Sequence, residues 1–233
     1  GEGVTADMAI LGGTSLKLTL GNRGRIDTFV KVKGNPGHSS APGRSCNAIT
    51  GAIEIIDRLN AQLELTGEHP ALGTPTFAVN HIRSGPDATH TIQGECALTL
   101  DRRLLPGDNP QEKWQDIRDI VMQVDGMEDP ASGQKWSVEM KEGPFMYPSL
   151  VEMDSPIVQS VCEAAEIMLG GAPETFYTTT AFDQGYLNHM GIPYANYGCG
   201  EDRYAHTDND CASVDRTTDT AKVFAYMMAR YLG

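Results

Sequence analysis

The chain has 233 residues, enough for one large domain or two small ones, and either size can bury a real core. Its 31 acidic and 18 basic residues give a formal charge of −13. That argues against a nucleic acid or an anionic membrane surface as partner, because phosphate binding needs a basic face. No apolar run reaches the roughly 18 residues of a membrane-spanning helix. The five cysteines, Cys46, Cys96, Cys162, Cys199 and Cys211, are scattered and never in Cys-x-x-Cys spacing. Free thiols in a reducing, cytoplasmic compartment are the expectation.

In chain order, Asp7 heads a short apolar run that Gly12-Gly13-Thr14 breaks. Leu16, Leu18 and Leu20 then alternate as a second strand. Asn22-Arg23-Gly24-Arg25 is a polar interruption with the composition of a hinge. Ile26, Thr28, Val30 and Val32 alternate with polar residues and predict a half-buried strand over 26–33. A helix is predicted over 45–60, its stripe being Ile49, Ala52, Ile53, Ile56 and Leu59. Strands follow over 76–83 and 95–101, the latter with Cys96, Leu98 and Leu100 on one face. Asn109 and Pro110 have the composition of a helix N-cap and first position, with Trp114, Ile117, Val121 and Val124 as the apolar stripe. Trp136, Val138 and Met140 alternate in a further strand. The order is β-α-β-β-α-β, the split ferredoxin-like arrangement.

Gly143-Pro144 and Tyr147-Pro148 read as a second hinge. Beyond it lie a helix opened by Ser155-Pro156 and stopped by Gly170-Gly171, a short helix over 183–190, a strand over 192–197 and a C-terminal helix. The terminal segments therefore belong together, and the ferredoxin-like unit is inserted between them. The expected boundaries are 1–24 and 144–233 for the outer domain and 25–143 for the insert.

The stretch from Lys33 to Ala48 stands out. Three Gly, two Pro and three Ser surround His38 between a strand and a helix, and such a loop fixes its own shape. Asp7 and His206 are candidate metal ligands, since an acid heading a strand and a His in an acid-rich loop suit zinc; two ligands alone do not close a zinc site. Of Arg102 and Arg103, one must face the sheet side, where a guanidinium could take a carboxylate or pair with Asp101.

Taken together, Gly34-Asn35-Pro36-Gly37-His38-Ser39-Ser40-Ala41-Pro42 with Asn47-Ala48-Ile49, Asp101-Arg102-Arg103-Leu104-Leu105-Pro106-Gly107, Ala205-His206-Thr207 and Ala6-Asp7-Met8-Ala9-Ile10 resemble a known family. It is the zinc-dependent aminoacylase, acetylornithine deacetylase, succinyl-diaminopimelate desuccinylase and glutamate carboxypeptidase family. The resemblance implies part of a zinc-peptidase-like α/β catalytic domain carrying an inserted ferredoxin-like dimerisation, or lid, domain. It implies a homodimer through the lid, two zinc ions per active site in the complete protein, and hydrolysis of N-acyl amino acids or dipeptides by a metal-activated water. Manganese or cobalt would suit the same ligands. Asp7 would ligate one zinc and His206 the other. His38 would stabilise the oxyanion in the partner subunit's site, and Arg103 would bind the substrate carboxylate.

The sequence also departs from that pattern. No His-x-Asp segment or Glu-Glu pair precedes Asp7, so the general base and half the ligands are expected outside it and the chain is expected to be inactive alone. Gly12-Gly13-Thr14 replaces the usual Glu-Pro-Thr, and His90 stands at a substrate-contacting position where many members have Asn. A non-catalytic dimerisation or binding module is the alternative.

Overall fold

The computed structural model describes residues 5–13, 15–205 and 207–232. The strands and helices in chain order are β1 (Ala9–Leu11), β2 (Leu18–Asn22), β3 (Gly24–Lys33), β4 (Gly37–His38), α1 (Ala48–Gln62), β5 (Thr76–Gly85), β6 (Thr91–Ile92), β7 (Glu95–Leu104), α2 (Pro110–Val121), β8 (Ser137–Met146), β9 (Ser149–Leu150), α3 (Pro156–Leu169), β10 (Thr175–Thr178), α4 (Gln184–His189), β11 (Tyr194–Tyr197) and α5 (Val214–Leu232). They form two compact units. The inserted unit is Arg25–Glu68 with Gly73–Phe145, and the outer unit takes in the chain up to Gly24, His69–Leu72 and the chain from Met146 on.

The inserted unit is a four-stranded sheet in the order β5-β7-β3-β8, covered by α1 and α2. The expected β-α-β-β-α-β order is what forms. Alternation in β3 sends Ile26, Thr28, Val30 and Val32 inward, and β7 adds Cys96, Leu98 and Leu100 to the same core. Both helices are capped as their sequences require: Asn47 Oδ1 accepts the Ile49 N–H, and Asn109 Oδ1 accepts the Gln111 N–H ahead of Pro110. α1 turns a different stripe to the sheet from the expected one. Ala48, Gly51, Ala52, Ile55 and Leu59 are buried, whereas Ile53 is 48% exposed. The small residues let the helix axis approach the sheet, and the bulkier isoleucines line the flanks. In α2, Ile120 is buried and Trp114 only half-buried.

The outer unit has a mixed sheet, β1-β11-β2-β10, with β9 paired to β2. β1 runs parallel to β11, and β2 antiparallel to it. α3 and α5 pack together against this sheet through Ile157, Val158, Val161, Ala165, Val223 and Met227. A polar thread runs through the buried base: the Gln184 amide donates to Ser149 Oγ at 2.8 Å, and Ser149 donates to Asn22 Oδ1. Arg23 donates through Nε to the Leu72 carbonyl at 2.9 Å, holding His69–Leu72 within this unit. Among the described residues no helix is long and apolar enough to cross a membrane.

Two local expectations change. Leu16 does not extend the β2 strand; Ser15 and Leu16 have φ of 52° and 59° and form a turn. Gly143-Pro144 is not a break but part of β8, where Pro is tolerated because β8 is an edge strand.

Gly51 tests the close packing of α1. A Cβ there would lie 2.9 Å from Val32 Cγ1 and 3.0 Å from the Trp136 ring. Alanine gains about 1 kcal/mol of helix propensity over glycine, but overpacking a filled core costs about 1–3 kcal/mol. Gly51→Ala is therefore expected to lower unfolding stability by up to about 2 kcal/mol, read by urea denaturation; a stabilised variant would show the core to be loose.

Candidate functional site

The loop between β3 and α1 is pinned along its length. The Gly34 N–H donates to the Gly94 carbonyl at 2.8 Å, and Asn35 and Cys46 exchange backbone bonds of 2.9 Å across the loop's neck. Gly34 must lack a side chain, since a Cβ would sit 2.1 Å from the Cys46 carbonyl oxygen. Farther out, Gly37 and His38 pair antiparallel with Ile92 and Thr91, and the Ser39 N–H donates to the His90 carbonyl at 3.0 Å. A turn closed by the Ala41 N–H on the His38 carbonyl and a 3₁₀ turn at Pro42–Arg44 lead back to α1.

The helix end of the loop is clamped by a segment far along the chain. Asp129 is 1% exposed. Its Oδ2 accepts the Asn47 N–H at 3.0 Å, and its Oδ1 accepts the Ala131 N–H at 3.1 Å. Trp136 Nε1–H donates to the Asn47 carbonyl at 2.8 Å, and Asn35 donates to Gln134 Oε1 at 3.2 Å. The 129–136 turn thus holds both sides of the loop. On this frame His38 is exposed, its Nδ1 lying 2.8 Å from Ser40 Oγ and 3.2 Å from the Ser40 backbone N.

The fold brings His38 and His90 together, since His90 leads directly into β6 and its carbonyl holds Ser39. It does not bring Arg103 to them. Glu95, next to Gly94, marks the loop's end of β7, and Arg103 lies eight residues away, roughly 26 Å along the strand. Arg103 faces the helix-free side of the sheet, as the alternation requires, but its fork is filled. Nε and Nη2 donate to the two Asp101 carboxylate oxygens at 2.9 and 3.2 Å. A substrate carboxylate would therefore meet Arg103 already paired with Asp101. Arg102 turns inward, 1% exposed, and donates to the Lys113 carbonyl and Asp116. Beside the Arg103 pair, burial pushes the Asp27 carboxyl up, outweighing the neighbouring Arg25.

In the outer unit the two metal-ligand candidates fare differently. His206 lies outside the described residues. The loop that carries it leaves the C-terminal end of β11, where the Gly198 carbonyl accepts the Leu16 N–H and the Gly200 carbonyl accepts the Ser15 hydroxyl. Asp7 is exposed and precedes β1, and β1 runs parallel to β11. Asp7 is therefore at the opposite end of β1 from this loop's start, about 13 Å from the far end of the strand at Leu11, four residues on. Among the described residues no three His, Cys, Asp or Glu side chains group closely enough to hold a metal ion, so these residues do not by themselves fit a zinc site. All five cysteines are free, and burial pushes the Cys46, Cys96 and Cys162 thiols up.

With this geometry in hand, comparison with known proteins is specific. Residues 20–126 match the family model described as a peptidase dimerisation domain. Over 97% of its length the chain is 28% identical to acetylornithine deacetylase of Vibrio campbellii, covering 58% of that protein. It is 32% identical to the Aliivibrio salmonicida acetylornithine deacetylase over 98% of the chain, again 58% of the relative. These matches support the M20 metallopeptidase family, with the peptidase dimerisation domain over 20–126. Among solved structures, the M20 family metallo-carboxypeptidase of Sulfolobus solfataricus superposes with a TM-score of 0.71 at 18% identity, over 94% of this chain and 62% of that one. Aminopeptidase PepT of Bacillus cereus superposes with a TM-score of 0.69 at 18% identity, over 99% and 58%. These two likenesses concern the fold. The chain spans a little over half the length of the curated relatives it matches.

Asp129 is a loop-fixing residue that no sequence motif marks. Removing the Asp129 carboxylate leaves the Asn47 and Ala131 N–H groups without their acceptor, at about 1–3 kcal/mol for each group left buried and unpaired. Asp129→Ala is expected to lower stability by about 2–4 kcal/mol and to speed amide hydrogen exchange at Asn47. A loss under about 0.5 kcal/mol, the range of ordinary surface changes, would remove Asp129 as the clamp.

Proposed function

We propose that the complete protein is a metal-dependent amidohydrolase or peptidase. It cleaves the amide bond of an N-acyl amino acid or small peptide bearing a free carboxylate, and it works as a homodimer paired through the inserted unit. The observation that carries this is a histidine held out from the sheet on a loop fixed at both ends, inside a unit that matches the peptidase dimerisation domain.

In this proposal His38 crosses to the partner subunit's active site and donates a hydrogen bond to the oxyanion that develops at the scissile carbonyl. A pre-placed donor is effective there because it needs no reorganisation as charge appears. His90, tied to the same loop through its carbonyl, is proposed to contact substrate beside it. His206 is proposed as a metal ligand. Asp7, ahead of β1, is proposed to ligate the other metal ion. Zinc, or manganese or cobalt in its place, is proposed as the cofactor of the complete protein, with a general base and further ligands from outside these residues. The chain by itself is proposed to be inactive.

The test is turnover of N-acetyl amino acids and dipeptides by the full-length protein and its His38→Ala variant. Loss of one oxyanion donor is expected to lower kcat by about 10²–10³-fold with KM little changed. A variant retaining kcat within about threefold, against that expectation, would remove His38 from the chemistry.

A further inference from the structure

We infer that Ser40 is a positioning residue that locks His38 in one neutral tautomer, with the proton on Nε2. The observation is the pair of contacts at Nδ1. The Ser40 backbone N–H donates to it at 3.2 Å, and the Ser40 hydroxyl lies 2.8 Å away. A hydroxyl can serve either way, but a backbone N–H can only donate. Nδ1 must therefore present its lone pair, and in the neutral ring the single proton resides on Nε2.

The geometry is an Asx-type turn built with a histidine. The ring nitrogen at the first position takes the N–H two residues on, while the His38 carbonyl takes the Ala41 N–H at 3.0 Å. The backbone cannot swing away from the ring, because Ser39 is held by the His90 carbonyl and His38 is paired with Thr91. The same device recurs in the outer unit, where His69 Nδ1 accepts the Ala71 and Leu72 N–H groups, both at 3.2 Å. No bond to His38 Nε2 is made among the described residues, so the locked proton lies on the nitrogen left open to a ligand. A neutral histidine whose only N–H points outward is a hydrogen-bond donor ready for an oxyanion, with no tautomer change to precede donation. That catalytic meaning rests on the proposed function; the tautomer itself does not.

The experiment uses the 233-residue chain, labelled with ¹⁵N, and long-range ¹H–¹⁵N correlation of the histidine rings above the range in which imidazole titrates. His38 and His69 are expected to show a fully unprotonated Nδ1 and a protonated Nε2. Ser40→Ala keeps the backbone donor and is expected to leave the His38 pattern unchanged. Ser40→Pro removes that donor, and the His38 signals are expected to move toward the averaged mixture of free imidazole, with His69 unchanged as internal control. Slow exchange of the Ser39 amide in Ser40→Pro checks that the loop still pairs with His90. A protonated or averaged Nδ1 at His38 in the unaltered chain would overturn the inference. So would a locked pattern that survives Ser40→Pro. Both readouts come from the chain's own spectrum and stand whatever the turnover of the full-length His38→Ala enzyme proves to be.

Discussion

The inserted unit turns on one residue at the start of α1. Asn47 gives its N–H to buried Asp129, receives the Trp136 indole N–H and the Thr50 hydroxyl on its carbonyl, and caps the helix with its side chain. Those bonds bind three things at one point: the end of the His38 loop, the first turn of α1 and the 129–136 turn. The sheet sets the loop's other end, through Gly34 on Gly94 and Asn35 on Cys46. A histidine between two such anchors keeps its place without burial. Exposure and fixed position seldom coincide in a loop, and their coincidence here is what gives His38 a functional look.

The charged residues follow a similar economy. The neighbours Arg102 and Arg103 take opposite faces of β7. One vanishes into the helix layer against the Lys113 carbonyl and Asp116, and the other lies flat on the sheet against Asp101. Both guanidinium groups are engaged inside the unit, although Arg102 Nε is buried without a partner. At the loop, by contrast, the backbone is saturated while the rings of His38 and His90 stay exposed.

What could be read in the sequence was local. The caps at Asn47 and Asn109, the inward alternation of β3 and β7, and the stop of α3 at left-handed Gly170 all follow from neighbours a few residues apart. The features that escaped depend on distance in the chain. Asp129 meets Asn47 across 82 positions, and nothing near either residue announces the pairing. Alternation told that one arginine of the pair must face outward, but not which end of β7 lies beside the loop. Leu16, Leu18 and Leu20 have the spacing of a strand, yet the backbone turns at Ser15 and Leu16 to bring the Leu16 N–H onto Gly198. β10 has no signature in the sequence, because Thr175 to Thr178 carries no apolar alternation; its place comes from parallel pairing with β2.

The role proposed for His38 requires that chains pair. The most direct measurement is the solution mass of this chain, and of its His38→Ala variant, by light scattering over a range of concentrations. Twice the 25.2 kDa chain mass for both is the expected result, with pairing carried by the inserted unit and His38 free for work across the interface. A monomer for both at every concentration would contradict it, and the role of His38 across subunits would fall with it.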